Sequence, residues 1–181
     1  CGEGPMFYCN GGVYRGEWKD DMRNGKGTYT YKNGAYYTGT WVEDKKSGHG
    51  VFDWNDGEKY EGAWEDNMRS GKGTYYYADN DVYQGDWVND VQDGRGIYRF
   101  RNGDVYEGDY RNGQRTGQGI ITFANGDTYK GQFLDGEQDG QGVFTWKDVA
   151  TYTGAWKHNK RNGFGKYKWK NGDEYEGHWK D

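Results

Sequence analysis

The sequence predicts an all-β chain: an elongated, single-layered antiparallel sheet of tandem 23-residue β-hairpins, coiled into a twisted, grooved rod. Three observations predict it: a tyrosine that recurs on a fixed period, glycine-rich segments phased to it, and turn-forming residues between them. Tyrosine stands at 14, 37, 60, 83, 106, 129, 152 and 175, an unbroken spacing of 23. Self-similarity at periods of about 20 to 50 residues marks repeat architectures, in which each unit buries its apolar face against its neighbours.

The first strand of each unit begins at that tyrosine. Two residues on comes a glycine (Gly16, Gly39, Gly62, Gly85, Gly108, Gly131, Gly154, Gly177), and two further on an aromatic ring (Trp18, Trp41, Trp64, Trp87, Tyr110, Phe133, Trp156, Trp179). A spacing of two places all three on one face of a strand. The second strand opens on a G-x-G pair, from Gly25/Gly27 to Gly163/Gly165, and continues into alternate large residues such as Tyr29/Tyr31, Phe52/Trp54 and Tyr75/Tyr77. Gly25, Gly27, Tyr29 and Tyr31 are expected to share one face, opposite Lys26, Thr28 and Thr30.

A turn rich in Asp, Asn and Gly, such as Asp20 to Asn24, is expected between the strands. Asn33-Gly34 and its equivalents, a composition suited to tight hairpin turns, link one unit to the next. These slots take up 30 of the 33 glycines, 30 of the 34 aromatic residues and all nine tryptophans. Glycine inside a strand normally weakens it unless something must approach its backbone closely. The expected visitor is an aromatic ring of the neighbouring strand, laid over the vacant side-chain position.

Composition agrees. Leu, Ile, Val and Phe supply only 20 of 181 residues, a proportion that usually signals disorder, but 18 Tyr and 9 Trp supply the missing apolar surface. Sixteen strands at about 4.8 Å give an expected sheet length of roughly 75 Å. A net charge of −5 argues against nonspecific binding to nucleic acid, which needs a positive footprint. There is no apolar run of membrane-spanning length, no signal-peptide core and no N-x-S/T sequon, and Cys1 and Cys9 sit together at one end, unable to frame a disulfide network. The expected setting is reducing and cytoplasmic.

The unit Y-x-G-x-W, then G-x-G-x-Y-x-Y, then N-G, at period 23, resembles the MORN (membrane occupation and recognition nexus) repeat over essentially the whole chain. The resemblance implies a rod-like interaction module, as in cytoskeletal scaffolds, ciliary radial-spoke heads, junction proteins, plant phosphoinositide kinases and a lysine methyltransferase. The catalytic domains of those enzymes have no counterpart here. Residues 1–181 are expected to form one array: a partial repeat at 1–13, repeats starting at 14, 37, 60, 83, 106, 129 and 152, and a partial repeat at 175–181. An array that begins and stops inside a hairpin is expected to be a segment of a longer protein. Asn24, Ser47, Ser70, Asp93, Thr116, Asp139 and Asn162 stand where the family often has His. One position earlier, the bases Arg23, Lys46, Arg69, Arg115 and Arg161 are interrupted by Gln92 and Gln138. Local kinks are expected at the deviating links Asp79-Asn80 and Asp148-Val149.

Catalysis has no visible carrier. His49, His158 and His178 occupy unrelated slots, the acids read as solvated surface, and no phosphate loop or metal-ligand spacing occurs. No enzyme activity, cofactor or metal is expected. A single-layered sheet leaves its aromatic face without a covering layer, and exposed rings are typical anchors for protein partners. Tyr60, Trp64, Tyr83, Trp87, Tyr106 and Tyr110, in the middle of the array, are the expected groove anchors for a helical or extended partner segment.

Charge is uneven. Residues 79–93 carry five acids and no Lys or Arg; residues 152–172 carry Lys157, Lys160, Arg161, Lys166, Lys168 and Lys170 and no acid. That basic stretch is the expected patch for an acidic partner or a phospholipid surface. The reading is a non-catalytic protein-interaction scaffold in a cytoskeletal or ciliary assembly, able to self-associate. The alternatives are a phosphoinositide or membrane-surface tether at the membrane periphery, and the regulatory array of a larger enzyme.

Overall fold

The structure, a computed structural model, describes residues 3–180; Cys1 and Gly2, in the expected partial repeat at 1–13, and Asp181, in that at 175–181, lie outside the described residues. The described chain forms sixteen antiparallel strands, without a helix, in one open sheet whose strand order is the chain order. Two compact units divide it, Cys1–Val91 and Gln92–Asp181.

The first unit holds β1 (Glu3–Phe7), β2 (Val13–Lys19), β3 (Met22–Thr30), β4 (Tyr36–Val42), β5 (Lys45–Asp53), β6 (Lys59–Glu65), β7 (Met68–Tyr76) and β8 (Val82–Val88). In the second, β9 (Val91–Arg99) is followed by β10 (Val105–Arg111), β11 (Gln114–Thr122), β12 (Thr128–Leu134), β13 (Glu137–Trp146), β14 (Ala150–Lys157), β15 (Lys160–Trp169) and β16 (Glu174–Trp179).

The two kinds of turn exchange the roles expected of them. Between β2 and β3 the connection is not a five-residue loop but a two-residue tip, Asp20-Asp21, with both residues at positive φ (51° and 59°). That is the primed turn whose twist matches the flanking strands. The Asn33-Gly34 link is instead the longer one: Gly34 N–H donates to Tyr31 C=O, Tyr31 N–H donates to Ala35 C=O, and only Gly34 takes positive φ.

Why Asp and Asn, rather than Gly, tolerate the left-handed tips is visible at Asp44. Its carboxylate accepts from the Arg23 backbone N–H at 3.0 Å, and its own N–H donates to Arg23 C=O at 3.1 Å. Asn67 docks on Lys46 and Asp90 on Arg69 in the same way. Each tip therefore ties its hairpin to the one before it, which offsets the strain of the tip itself.

The deviating links do not interrupt pairing. Asn80 takes the glycine's place at φ 73°, and Tyr77 and Asp81 keep the same backbone bonds. At the other link β13 runs on to Trp146, which pairs with Ala150.

The two glycines of G-x-G do different work. In the register of β2 and β3, Gly16 pairs with Gly27 and Trp18 with Arg23, leaving Glu17 opposite three residues in a bulge. Gly25 sits in that bulge at φ 92°, over the Glu17 side chain, so it does not share the face of Gly27. The Glu17 carboxylate accepts from the freed Lys26 N–H at 2.7 Å; Asp109 and Gln132 serve the bulge N–H groups of Gln118 and Gln141. Gly27 is the seat for a ring: any Cβ there would overlap Tyr14, as one at Gly73 would overlap Tyr60. The expected ring-over-glycine pairing across strands is thus what the structure contains.

The core is a row of these seats. Tyr14, Tyr37, Tyr60, Tyr83, Tyr106, Tyr129 and Tyr152 have no exposed surface. Each phenol donates to the carbonyl three residues ahead, Tyr60 to Ala63 C=O at 3.0 Å for example, so the buried hydroxyl is satisfied. Burial pushes the Tyr14 and Tyr60 phenols up to about 12.

Candidate interaction face

Above the tyrosine row lies a second layer of side chains on the same face. Trp64 stands edge-on to Tyr60 of its own strand at 5.1 Å and to Tyr37 of the preceding repeat at 5.4 Å. Its indole N–H donates to Gly50 C=O at 3.1 Å. Trp41, Trp87, Trp156 and Trp179 donate to Gly27, Gly73, Gly142 and Gly165 in the same manner.

The expected groove anchors are corrected by this packing. Tyr60, Trp64, Tyr83, Trp87, Tyr106 and Tyr110 are all buried, none above 6% exposed. In the first unit Trp87 contacts both Tyr60 and Tyr83. In the second, Tyr106 contacts Tyr110 and Phe133. They form the floor of the face and present little surface of their own. A single layer leaves rings exposed only if nothing else lies over them, and here side chains do.

Part of that cover is cationic. Arg23 stacks over Trp41 at 4.2 Å, Lys46 over Trp64 at 4.2 Å, Arg69 over Trp87 at 4.4 Å and Arg161 over Trp179 at 4.2 Å. A guanidinium over an indole gains from the ring's negative face. The interrupted basic ladder of the sequence is therefore a set of ring covers. Register places it there: Arg23 pairs with Trp18 across β2 and β3, and so stands on the aromatic side of β3.

Arg23 is also held by Asp44 at 2.8 Å and Arg69 by Asp90 at 2.9 Å, cancelling charge at both covers. Burial would raise the Asp44 carboxyl, but Arg23's side-chain and backbone hydrogen bonds and its charge hold it below the usual carboxylate range. Lys46 has no such carboxylate clasp; its tip partner is Asn67. Burial pushes the Lys46 ammonium down to about 8, against a smaller opposing pull from Asp90.

The exposed part of the face is a ladder the expectation passed over. At the end of each second strand stand Tyr31, Trp54, Tyr77, Phe100, Phe123, Trp146 and Trp169, an aromatic residue at every repeat. Tyr31 and Trp169 are exposed and the others half-buried. In the first unit they zigzag with the ring before them: Tyr29–Tyr31 at 4.7 Å, Tyr31–Phe52 at 5.6 Å, Phe52–Trp54 at 4.5 Å, Trp54–Tyr75 at 5.4 Å and Tyr75–Tyr77 at 4.6 Å. In the second, Phe123, Phe144, Trp146, Tyr167 and Trp169 form the same chain. The sequence carried the signal, since these outer slots are filled with rings where packing alone accepts aliphatic residues.

The six C-terminal bases do not make one patch. Arg161 lies on the aromatic face over Trp179. Lys166 is on the opposite face, 2.9 Å from Glu174, and Lys168 pairs in register with Glu174. Lys170 lies in the link after β15, 3.4 Å from Asp148, and Lys157 and Lys160 flank the His158-Asn159 tip. The acid-free stretch of sequence is met by acids from neighbouring strands and links.

Cys9 is a free, exposed thiol. Of the histidines, His158 bonds Glu137 at 2.7 Å and His178 packs on Phe164. Among the described residues no group of His, Cys, Asp and Glu is placed to hold a metal ion.

Fold and face together define a tandem β-hairpin repeat protein with one face of layered aromatic rings. The MORN-repeat pattern matches seven consecutive segments, residues 14–36, 37–59, 60–82, 83–105, 106–128, 129–148 and 152–174, and the chain belongs to the MORN-repeat family. No curated protein matches its sequence significantly. Among solved structures it is similar to the Drosophila melanogaster SAS-4 (dCPAP) TCP domain in complex with a proline-rich motif of Ana2 (dSTIL). That likeness has 17% identity and a TM-score of 0.54, covering 98% of this chain and 90% of that one. The Danio rerio CPAP TCP10 domain in complex with a STIL peptide matches at 12% identity and TM-score 0.37, covering 98% of this chain and all of that one.

Proposed function

We propose that this chain is a non-catalytic protein-interaction scaffold that holds an extended segment of a partner protein along its outer aromatic ladder. The observation that carries the reading is the ladder itself, one partly exposed ring per hairpin, set beside a floor already sealed by tyrosine, tryptophan and cations. A sealed floor does not require further rings for stability. A run of half-covered rings is a surface suited to anchoring a partner.

Spacing favours an extended segment over a helical one. Successive hairpins advance by two strand spacings, about 9.6 Å. A polyproline II chain advances about 9.3 Å in three residues, so every third residue meets the next ring. Two turns of α-helix advance about 10.8 Å and lose phase within a few repeats. The fold likeness to a TCP domain solved with a proline-rich motif is consistent with this choice. Family resemblance to scaffolds of the cytoskeleton and cilium supports placing the chain in such an assembly. The membrane-tether reading draws less support, because the bases it needs divide between two faces and a link.

The test is affinity capture from lysate at physiological salt with the wild type and a Trp54→Ser/Tyr77→Ser variant, both checked for fold by circular dichroism. A defined protein held by the wild type and lost by the variant is expected. Equal capture by both, or recovery of phospholipid vesicles alone, would overturn the reading.

A further inference from the structure

One position in the second unit breaks the pattern of covered rings. In the first unit the cations over Trp41 and Trp87, Arg23 and Arg69, are cancelled by tip aspartates, and the cation over Trp64, Lys46, is sunk among rings. In the second unit the residue in the place of those tip aspartates is Gly136, which offers Arg115 only its carbonyl, at 2.6 Å. Among the described residues no carboxylate lies within ion-pair distance of the half-buried Arg115. Its guanidinium has five N–H donors and spends one on that carbonyl.

The next slot holds Gln138 instead of a base. Its side chain is buried, 7% exposed, and brings no cation over Trp156. A cleft of about 600 Å³ opens there, floored by Phe144, Trp146 and Trp156, with Arg115 on one side and Arg161 on the other. An uncancelled guanidinium beside a largely apolar floor is complementary to a carboxylate flanked by an apolar residue. A charge-assisted, forked bond gains strength where water is partly excluded. The chain's net charge of −5 disfavours polyanions, so a single carboxylate on an otherwise apolar segment fits better than nucleic acid or an anionic membrane.

We propose that this cleft takes an acidic residue of the partner segment, Arg115 binding its carboxylate while the adjacent apolar residue packs on Trp146 and Phe144. The proposal rests on the reading of the aromatic face as a peptide-binding surface and specifies what one part of it recognises.

The probes are a fluorescein-labelled peptide made of Pro-Pro-Leu-Glu repeats and a twin with Gln for Glu, titrated against the whole chain by fluorescence anisotropy. The acidic peptide is expected to bind at least about tenfold more tightly than its twin, as a charge-assisted hydrogen bond allows. Arg115→Gln should abolish that preference. Gln138→Arg, which places in this slot the residue four other repeats already carry, should close the cleft and weaken both peptides with the fold intact. Equal binding of the twins, a preference that survives Arg115→Gln, or no binding of either peptide would overturn the proposal. If neither peptide binds while Trp54→Ser/Tyr77→Ser still abolishes protein capture, the cleft is wrong and the ladder reading stands. If that variant captures as the wild type does, the ladder reading itself falls.

Discussion

The two units use the same seats and fill them differently. In the first unit Trp41, Trp64 and Trp87 each donate an indole hydrogen bond to a strand-glycine carbonyl and carry a cation at 4.2–4.4 Å. In the second, the equivalent rings include Tyr110 and Phe133. Arg115 stands 5.6 Å from Phe133, and the cation over Trp156 is replaced by Gln138. What does not vary is the tyrosine: Tyr37 and Tyr60 in one unit, Tyr129 and Tyr152 in the other, are equally buried and donate to the same relative carbonyl. The contrast separates an anchor from its cover. Tyrosine on glycine sets the approach of the strands, whereas tryptophan and cation add to it and can be exchanged.

The largest effects are therefore expected at the seats, and equally in both units. A Cβ at Gly62 would lie 2.5 Å from Gly73 Cα, and one at Gly108 would lie 2.7 Å from Gly119 Cα. Both obstacles are backbone, which cannot rotate away as a side chain can. Gly62→Ala and Gly108→Ala are each expected to cost about 3 kcal/mol, at the upper end for overpacking, read as a fall in urea midpoint by far-UV circular dichroism. A loss confined to one unit's variant would show that the anchor is not common to both. The cover should matter less. Trp64→Phe deletes the bond to Gly50 C=O and is expected to cost about 1–2 kcal/mol. The sequence already makes that exchange at Phe133. If Trp64→Phe cost as much as Gly62→Ala, the division between anchor and cover would fail.

That division also marks what was legible in the sequence. Period, strand pairing and the visit of a ring to glycine followed from Tyr14, Gly16 and Gly27, because alternation along a strand and the cost of a strand glycine are local rules. The turns were exchanged because composition alone ranks Asn33-Gly34 above Asp20-Asp21. The deciding contact is the grip of Asp44 on Arg23, 21 residues away. Ring exposure was misjudged for a related reason. Trp64 and Trp54 look alike in sequence, but Trp64 lies between two tyrosines and beneath Lys46, whereas Trp54 stands at the end of its strand. Depth on a face depends on neighbours from two repeats at once, and a periodic sequence gives every repeat the same local signal. Gln138 was visible as an interruption of the bases, whereas the part of Gly136 shows only in its carbonyl, which accepts from Arg115 across the repeat boundary.

The smallest effect distinguishes cancelled covers from uncancelled ones by their response to pH. Burial pushes Lys46 from its ordinary 10.5 down to about 8, so the folded chain releases this proton before the unfolded chain does. Below pH 8 both states are charged and folding bears the whole cost of burying the ammonium. Between about 8 and 10.5 the unfolded state binds more protons, and stability therefore rises with pH. The rise should stay under about 1 kcal/mol, because the ammonium keeps partial contact with water. Tyr14 and Tyr60 act in the opposite sense, since burial holds their phenols at about 12, above the ordinary 10. Their stabilisation is complete below pH 10 and is lost as pH climbs toward 12. Urea midpoints measured from pH 7 to 11 should thus climb slightly and then fall. In Lys46→Arg, whose guanidinium keeps its proton throughout this range, the climb should vanish while the alkaline fall remains. A climb that survives the substitution would remove Lys46 as its source and leave the uncancelled cover without a measurable cost.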